Sequence, residues 1–397
     1  MVNGNMTYAA NGLAVTYTLI SNWTSKTLTI GGNLIIDDAL VTVVGASSTG
    51  RNTINVAGDV LVQSRALLLA SGSTDETELN VSGNLQIGSL STSDVGSLHS
   101  YAFLANPTIN FKGINKSFAL INGGLFTAAY INIVVKTGAS LNVGSTNLTL
   151  TTSKSDLPST IEINGLLTVT DKTLTTAGGI INNETLNIKN NANLIQSTTT
   201  VNTGTGVTNI NRNSSPLSRL DYTLWSSPVA SQNLVAFLPK TNTTRFYNFN
   251  TTYNVSSLSG AYSAILDLTT TNFTNDKGYL IRRTDHAEAV TQTPYQGVFT
   301  GVANNGDIQV ALVDGGVAGL RYNVVGNPYP SPITVSTFVA DNSANIESTL
   351  YFWRKTNGLG TAYCNGNGGT FVTNINPQSE DPFGIIQIGQ GFFVEAK

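Results

Sequence analysis

The chain repeats one phrase, and that repetition narrows its possible folds more than any other feature. LNVSGNLQIG at 79–88 returns with variation as TLTIGGNLII at 27–36, TINVAGDVLV at 53–62, TINFKGINKS at 108–117 and TIEINGLLTV at 160–169. Counted from the first apolar residue, the copies begin at Leu28, Ile54, Leu79, Ile109, Ile131, Ile161 and Leu186, with spacings of 26, 25, 30, 22, 30 and 25 residues. A unit of this size cannot bury its own apolar side chains, so successive units must stack and cover one another. Val, Ile, Leu and Thr alternate with polar residues at period two and are cut by Gly, Asn and Asp, which excludes helical and leucine-rich repeats. The pattern predicts a parallel β-helix of about seven or eight coils over residues 1–212, with residues 1–25 as a cap. Within the phrase, Leu79 and Val81, then Leu85 and Ile87, should point inward on two successive strands, with Gly83 permitting the bend between them. Ser89 to Pro107 breaks the rhythm, and a loop projecting from one coil is expected there.

The vocabulary changes around Pro216. Aromatic residues and prolines become denser in DYTLWSSPVA, RFYNFN, KGYLIRR, YQGVFTG and TLYFWRK, and short strands joined by Gly, Pro and Asn turns predict an antiparallel β-sandwich over residues 213–397. One helix is expected within it, near Ser331 to Asn342. In TLYFWRK, Tyr351 and Trp353 share one face and Phe352 takes the other, so burial on both sides of this strand is expected, with a sugar-stacking platform as the alternative use of the rings. A length of 397 residues suits two such units.

Only 11% of the residues are charged and the formal net charge is −3, so there is no basic surface to neutralise a nucleic-acid backbone. The opening MVNGNMTYAANGL has neither a basic start nor a continuous apolar run, so no signal peptide or membrane span is read there. If the protein is exported, the expectation is that its address has been removed. Cys364 is the sole cysteine, which rules out an intrachain disulfide and leaves burial and backbone pairing to hold the fold. It reads as a small residue in the loop YCNGNGG, with an interchain disulfide as the alternative.

The C-terminal phrases carry a resemblance. DYTLWSSPV (221–229), GDIQV (306–310), YNVVGNPYPSPI (322–333), ANIESTLYFW (344–353) and IGQGFFVEA (388–396) together resemble a family of large secreted surface proteins of Bacteroidetes that leave through the type IX secretion pathway. The resemblance covers roughly Leu217 to Lys397 and implies an extracellular or cell-surface location. In that family the module often follows an Asn- and Thr-rich β-solenoid. Its members usually carry a signal peptide in front and a sorting domain behind. Neither is read in this chain, so a mature or trimmed product is expected, whose contact with the secretion machinery would run through a sorting segment it lacks. The family supplies no catalytic residue to carry over.

Reactive chemistry is sparse. His99 and His286 fall in different predicted domains, and neither sits in an HxH or HExxH arrangement. His286 lies beside Asp285 in RRTDHAEAV and reads as part of a charged loop. No nucleophile elbow or phosphate loop occurs in a suitable context, and NGNGG at 365–369 reads as a turn. The rival to a passive role is a polysaccharide-binding or polysaccharide-cleaving β-helix, which would need carboxylates gathered on one face. The only acidic concentration in the repeat region is Asp37, Asp38, Asp59, Asp75, Glu76 and Glu78, spread over strand ends and loops. Threonine-rich runs such as LTVTDKTLTT raise a third possibility, a flat hydroxyl array of the ice-binding kind, which the irregular spacing opposes. The Asn-x-Ser/Thr sites, among them Asn22, Asn80, Asn147, Asn183 and Asn254, would suggest glycosylation only in a eukaryotic secreted protein. NNGD at 304–307 leaves loop calcium open. No catalytic, cofactor-binding or metal residue is nominated. The expectation is a non-enzymatic surface protein acting as stalk, adhesin or fibre subunit, with surface glycans or copies of itself in a filament as partners.

Overall fold

The computed structural model describes residues 1–9, 16–20, 25–37, 39–44, 50–69, 76–88, 96–99, 107–127, 131–150, 158–197, 199–218, 220–252, 260–283, 292–316, 321–354, 362–367, 370–373 and 383–397. Strand accounts for 52% and helix for 5%, so the chain is all-β, as its alternation predicts. It divides into two compact units, Met1–Val207 and Thr208–Lys397. The sequence placed this boundary at 212/213, inside what proves to be one strand, Val207–Leu217. From Thr208 to Leu217 that strand pairs antiparallel with Thr293–Ala303, and this pairing commits it to the second unit.

The first unit is a parallel β-solenoid of about six turns, somewhat fewer than the seven or eight expected from the sequence. One face stacks Thr27–Ile30, Arg51–Val56, Glu76–Val81, Thr108–Phe111, Asn132–Val135, Ile161–Ile163 and Ile180–Asn182. Its register sets Leu28, Ile54, Leu79, Ile109, Ile133, Ile161 and Ile180 in one column. Five of the seven phrase starts read from the sequence therefore fall in a single row. Two do not: Ile133, not Ile131, takes the fifth place, and Leu186 stacks on Leu167 in a different face. Both misplacements share a cause. Ile131 and Ile133 are two apart and both buried, so period two cannot choose between them, and the last rung is short enough for its next strand to be taken for its first.

The second face stacks Met6–Ala9, Leu34–Asp37, Val60–Val62, Leu85–Ile87, Lys116–Leu120, Ser140–Val143, Leu166–Val169 and Thr185–Ile188. The third has two parts, a five-stranded one from Thr16–Ile20 to Leu125–Thr127 and a three-stranded one of Leu148–Leu150, Thr173–Thr176 and Asn193–Gln196. Within the expected projecting loop, Ser97–His99 is a strand of this third face, paired in register with Ala66–Leu68 and Leu125–Thr127. The rest of that segment, apart from Gly96 and Pro107, lies outside the described residues.

Side chains inside the turns are almost wholly apolar: Leu34, Val60, Leu85 and Phe118 stack in register and are fully buried. One corner adds a second column. Asn5 Oδ1 accepts from the Asn33 amide (2.8 Å), Asn33 Oδ1 from the Asp59 amide (2.8 Å), Asp59 Oδ1 from the Asn84 amide (2.6 Å) and Asn84 Oδ1 from the Ser117 amide (3.0 Å). This explains the Gly-Asn or Gly-Asp pair inside the phrase. A Cβ on Gly58 would sit 2.0 Å from Asn33 Oδ1, and one on Gly83 2.3 Å from Asp59 Oδ1. The glycine is there to admit the acceptor from the rung below, and the bend assigned to Gly83 from sequence is secondary. A related column runs along the first face, where Asn80 donates to Asn55 (2.9 Å) and Asn110 to Asn80 (3.0 Å).

The second unit is a sandwich-like module. A four-stranded antiparallel sheet has the order Tyr222–Trp225, Tyr279–Arg282, Phe246–Phe249, Tyr262–Ala264. A five-stranded one has the order Tyr322–Gly326, Gly391–Glu395, Thr349–Arg354, Ala362–Asn367, Thr370–Thr373. The two meet over Leu224, Leu280, Val324 and Phe393, ringed by Tyr222, Tyr247, Phe249, Tyr322, Tyr351 and Trp353. The other side of the five-stranded sheet, with Val325, Leu350, Phe352, Phe392 and Val394, packs against Val335 and Val339 of the helix Val335–Asp341. Phe352 thus lies in one core while Tyr351 and Trp353 border the other, the two-sided burial that TLYFWRK predicted. The helix lies inside its expected window. Cys364 to Asn367, read as loop and turn, belong instead to a strand paired with Thr370–Thr373, because alternation in YCNGN is carried by small residues.

Two of the sequence phrases, DYTLWSSPV and YNVVGNPYPSPI, meet at one buried knot. Asn327 is fully buried and its Nδ2 donates to the carbonyls of Ser331 (2.9 Å), Gln387 (3.1 Å) and Ile386 (3.3 Å), while Oδ1 accepts from the Tyr329 amide (2.9 Å). Ser226 Oγ reaches the carbonyl of Asn327 at 2.9 Å. A Cβ on Gly326 would lie 2.1 Å from Ser226 Cβ, so WSSP and GNPYP interlock only with glycine there.

Three substitutions test these devices. Gly58→Ala should destabilise the solenoid by about 1–3 kcal/mol, since backbone and acceptor must both yield, whereas Asp59→Asn keeps the acceptor and should stay within about 0.5 kcal/mol of the parent; urea unfolding followed by circular dichroism distinguishes them. Asn327→Ala strips a donor from buried carbonyls and should cost at least about 2 kcal/mol in the same experiment.

Candidate functional site

Among the described residues, the carboxylates that could have made a catalytic face on the solenoid are each engaged elsewhere. Asp59 is spent on the corner column, and Asp37 accepts from Ser64 Oγ at 3.3 Å. Glu78 is ion-paired with Arg51 at 3.4 Å. Asp38 and Asp75 lie outside the described residues, and of Glu76 only the backbone is described, paired with that of Arg51. Among the described residues no group of three or more His, Cys, Asp or Glu is placed to hold a metal ion. His99 sits at the end of the strand Ser97–His99, and His286 is outside the described residues. In NNGD, Asn304 is buried and donates to the carbonyls of Pro328 (2.9 Å) and Ser227 (3.3 Å), a structural use.

Among the described residues, threonines do not align into an array. Thr149 lies over Thr175, but the next place in that row is Ile195, and Thr168 falls between Asn142 and Asn187. Register therefore breaks the hydroxyl rows that the sequence suggested.

The second unit holds a cleft of about 840 Å³. Its floor is Val325, Phe392 and Val394 from the first two strands of the five-stranded sheet. One wall is Phe338 and Asp341 of the helix, and the other is an extended arm, residues 307–314. The arm alternates as a strand would: Ile308, Val310 and Leu312 are half-buried, whereas Asp307, Gln309, Ala311 and Val313 are exposed. Val310 and Leu312 pack on the core beneath, together with Ile333 and Phe338. Yet from 307 to 312 no backbone group of the arm pairs with another backbone group among the described residues.

Side chains hold the arm at its two ends. Tyr329 Oη donates to the Gly306 carbonyl at 2.8 Å. Burial raises the Tyr329 pKa; the hydrogen bond with the Ile308 backbone works against this, and the Asp307 charge adds to it. At the far end the Asn323 side chain grips Val313 twice, accepting from its amide (2.9 Å) and donating to its carbonyl (3.0 Å). Charge collects at the rim with Asp307, Asp314, Asp341 and Lys397. Asp314 is ion-paired with Arg321 at 3.4 Å, and Lys397 Nζ donates to the Ser343 carbonyl at 2.6 Å. The lining contains neither His nor Cys. An apolar floor with a carboxylate rim suits non-covalent binding. Sequence reasoning quoted GDIQV but missed this site, because the alternation in DIQVALV is what a paired strand would also show.

No helix among the described residues is long and apolar enough to cross a membrane. No curated protein and no solved structure matches the chain. A family model described as "Domain of unknown function (DUF8693)" matches residues 112–397, a stretch that starts after the solenoid strand Thr108–Phe111 and takes in the whole second unit with its cleft. Since that stretch is well over half of the 397 residues, the chain belongs to the DUF8693 family.

Proposed function

We propose that the chain is a non-enzymatic, extracellular cell-surface protein whose solenoid serves as a rigid stalk, in an adhesin or a fibre subunit. The observation that carries this is the in-register stacking of the two long faces of the first unit. Most inward rows are apolar from rung to rung, as in Leu34, Val60, Leu85 and Phe118, and a side-chain column ties four successive rungs to the next. Such a stack cannot bend without breaking several backbone ladders at once. With about 4.8 Å between neighbouring strands, its six intervals set a distance of roughly 30 Å. Outward positions carry mostly short uncharged side chains, which suit contact with water, glycans or another chain over the long term. The likeness of the C-terminal phrases to secreted surface proteins supports an extracellular location and delivery by a secretion machinery. A polysaccharide-binding or polysaccharide-cleaving role is the second reading, and the tests separate it.

On intact cells of the source organism an antibody to the second unit should label the surface, and added protease should remove the label. Labelling only after lysis would overturn the location. Incubation with cell-wall or algal polysaccharides should release no sugar; release at a steady rate would replace the stalk by an enzyme.

A spacer built of stacked turns should also tolerate loss of a whole turn. Deleting residues 54–78 joins Thr53 to Leu79 and restores each column, because Thr53 and Glu78 are register partners. This variant should still unfold cooperatively, within a few degrees of the parent, whereas deleting 54–66 should abolish the transition. Collapse of both would count against a modular spacer.

A further inference from the structure

Apart from the Ile308 backbone, which meets Tyr329, the arm beside the cleft has a main-chain hydrogen-bonding capacity that no other backbone group among the described residues employs. Backbone amides and carbonyls from 307 to 312 are without backbone partners among the described residues, although the segment is extended and its side chains alternate. An unpaired extended segment beside an apolar groove is the arrangement that receives a further strand, main-chain bonds supplying affinity and alternate side chains entering the groove. Asp307 and Asp341 stand on opposite walls of the cleft and form no ion pair among the described residues. By contrast, the cations nearby are engaged, Arg321 by Asp314 and Lys397 Nζ by the Ser343 carbonyl. The rim thus favours a positive group on whatever enters.

We propose that the cleft binds an extended peptide with alternating apolar residues and flanking basic residues, which adds as a strand to the arm at 307–314. Its apolar side chains would cover Val310, Leu312 and Phe338, and its cationic ends would face Asp307 and Asp341. A lipid-like or sugar ligand would use the floor but leave the arm amides unpaired, which gives the test its power.

The probe is the blocked heptapeptide Lys-Val-Thr-Val-Thr-Val-Lys, labelled for fluorescence anisotropy and added to the full chain. Saturable binding is expected, together with slowed amide exchange over 307–312. Strand addition uses alternate amides of the guest. Of two peptides N-methylated at alternate residues in opposite phases, one should therefore bind at least about tenfold more weakly and the other nearly as well as the parent. Replacing both rim carboxylates (Asp307→Asn with Asp341→Asn) should weaken the parent peptide about two- to fivefold, an effect that fades with salt. No binding of the heptapeptide, equal affinity for both methylated peptides, or unchanged exchange in the arm would each overturn the proposal. A neutral detergent that displaces nothing supports it, and one that competes while giving the same exchange pattern as the peptide defeats it.

Discussion

Vertical registration between rungs is the constraint on which the first unit depends. A parallel ladder alone fixes the strand spacing but not the phase, since a slip of one residue would turn every core side chain outward. Here the phase is set twice, by apolar columns inside and by the acceptor column at the corner. The corner column is the more selective of the two, because it needs a specific pair of neighbours: an acceptor at one position and, just before the acceptor of the next rung, a residue without a side chain. That pair is why the chain writes Gly-Asn, Gly-Asp, Gly-Asn at 32–33, 58–59 and 83–84. Where the pair lapses, as at Gly113 to Ser117, the column ends on Ser117 and the next rungs are tied differently, the Asn115 amide donating to Ser140 Oγ at 2.6 Å and Thr170 Oγ1 to Asn142 Oδ1 at 3.1 Å.

The second unit solves a different problem. Its strands are antiparallel, so phase is set locally, but two sheets and a helix must be packed at fixed distances. Glycine again acts by admitting a neighbour. A Cβ on Gly391 would lie 2.7 Å from Leu224 Cγ and 3.1 Å from Gly278 Cα, so the two sheets approach there with nothing between them. Asn327 then secures the far side by collecting three carbonyls from 331 and 386–387. The aromatic rings fill the spaces that remain, mostly edge to face: Trp225 against Phe237 at 5.1 Å and Phe249 against Phe393 at 5.2 Å.

Much of this was legible in the residues themselves, and the failures follow a rule. Alternation plus a period of about two dozen residues suffices to specify a stacked β-solenoid, because no other arrangement buries Leu28, Ile54, Leu79, Ile109 and Ile161 together. What period two cannot supply is absolute position: Ile131 and Ile133 are equivalent to it, and Leu186 has the same local surroundings as a true phrase start. Nor does a pattern reveal which residues pair. Ser97–His99 hid inside an apparent interruption because three residues are too few to show alternation, and the strand Val207–Leu217 was cut at 212/213 because its partner, Thr293–Ala303, is some eighty residues away. The side-chain knot at Asn327 was visible only as a conspicuous phrase, since a buried asparagine's partners are carbonyls, and carbonyls carry no sequence identity.

The arm at 307–314 is the extreme case of that rule, and it shows where the two units differ in what they leave open. Through most of the solenoid each inner strand is flanked on both sides, so its backbone has nothing left to offer and only its side chains face outward. In the second unit an equally strand-like segment is fixed at its ends by Tyr329 and Asn323, yet from 307 to 312 it forms no backbone–backbone bond among the described residues. Its inward side chains Val310 and Leu312 rest on the core, while its backbone beside the cleft is left without a strand partner among the described residues. An alternating apolar sequence that is anchored but not paired retains, in the folded protein, the recognition capacity that pairing would have used up. The specificity of such a site rests on spacing and backbone direction more than on any single reactive group. That is why a search for histidines, cysteines and clustered carboxylates passes over it.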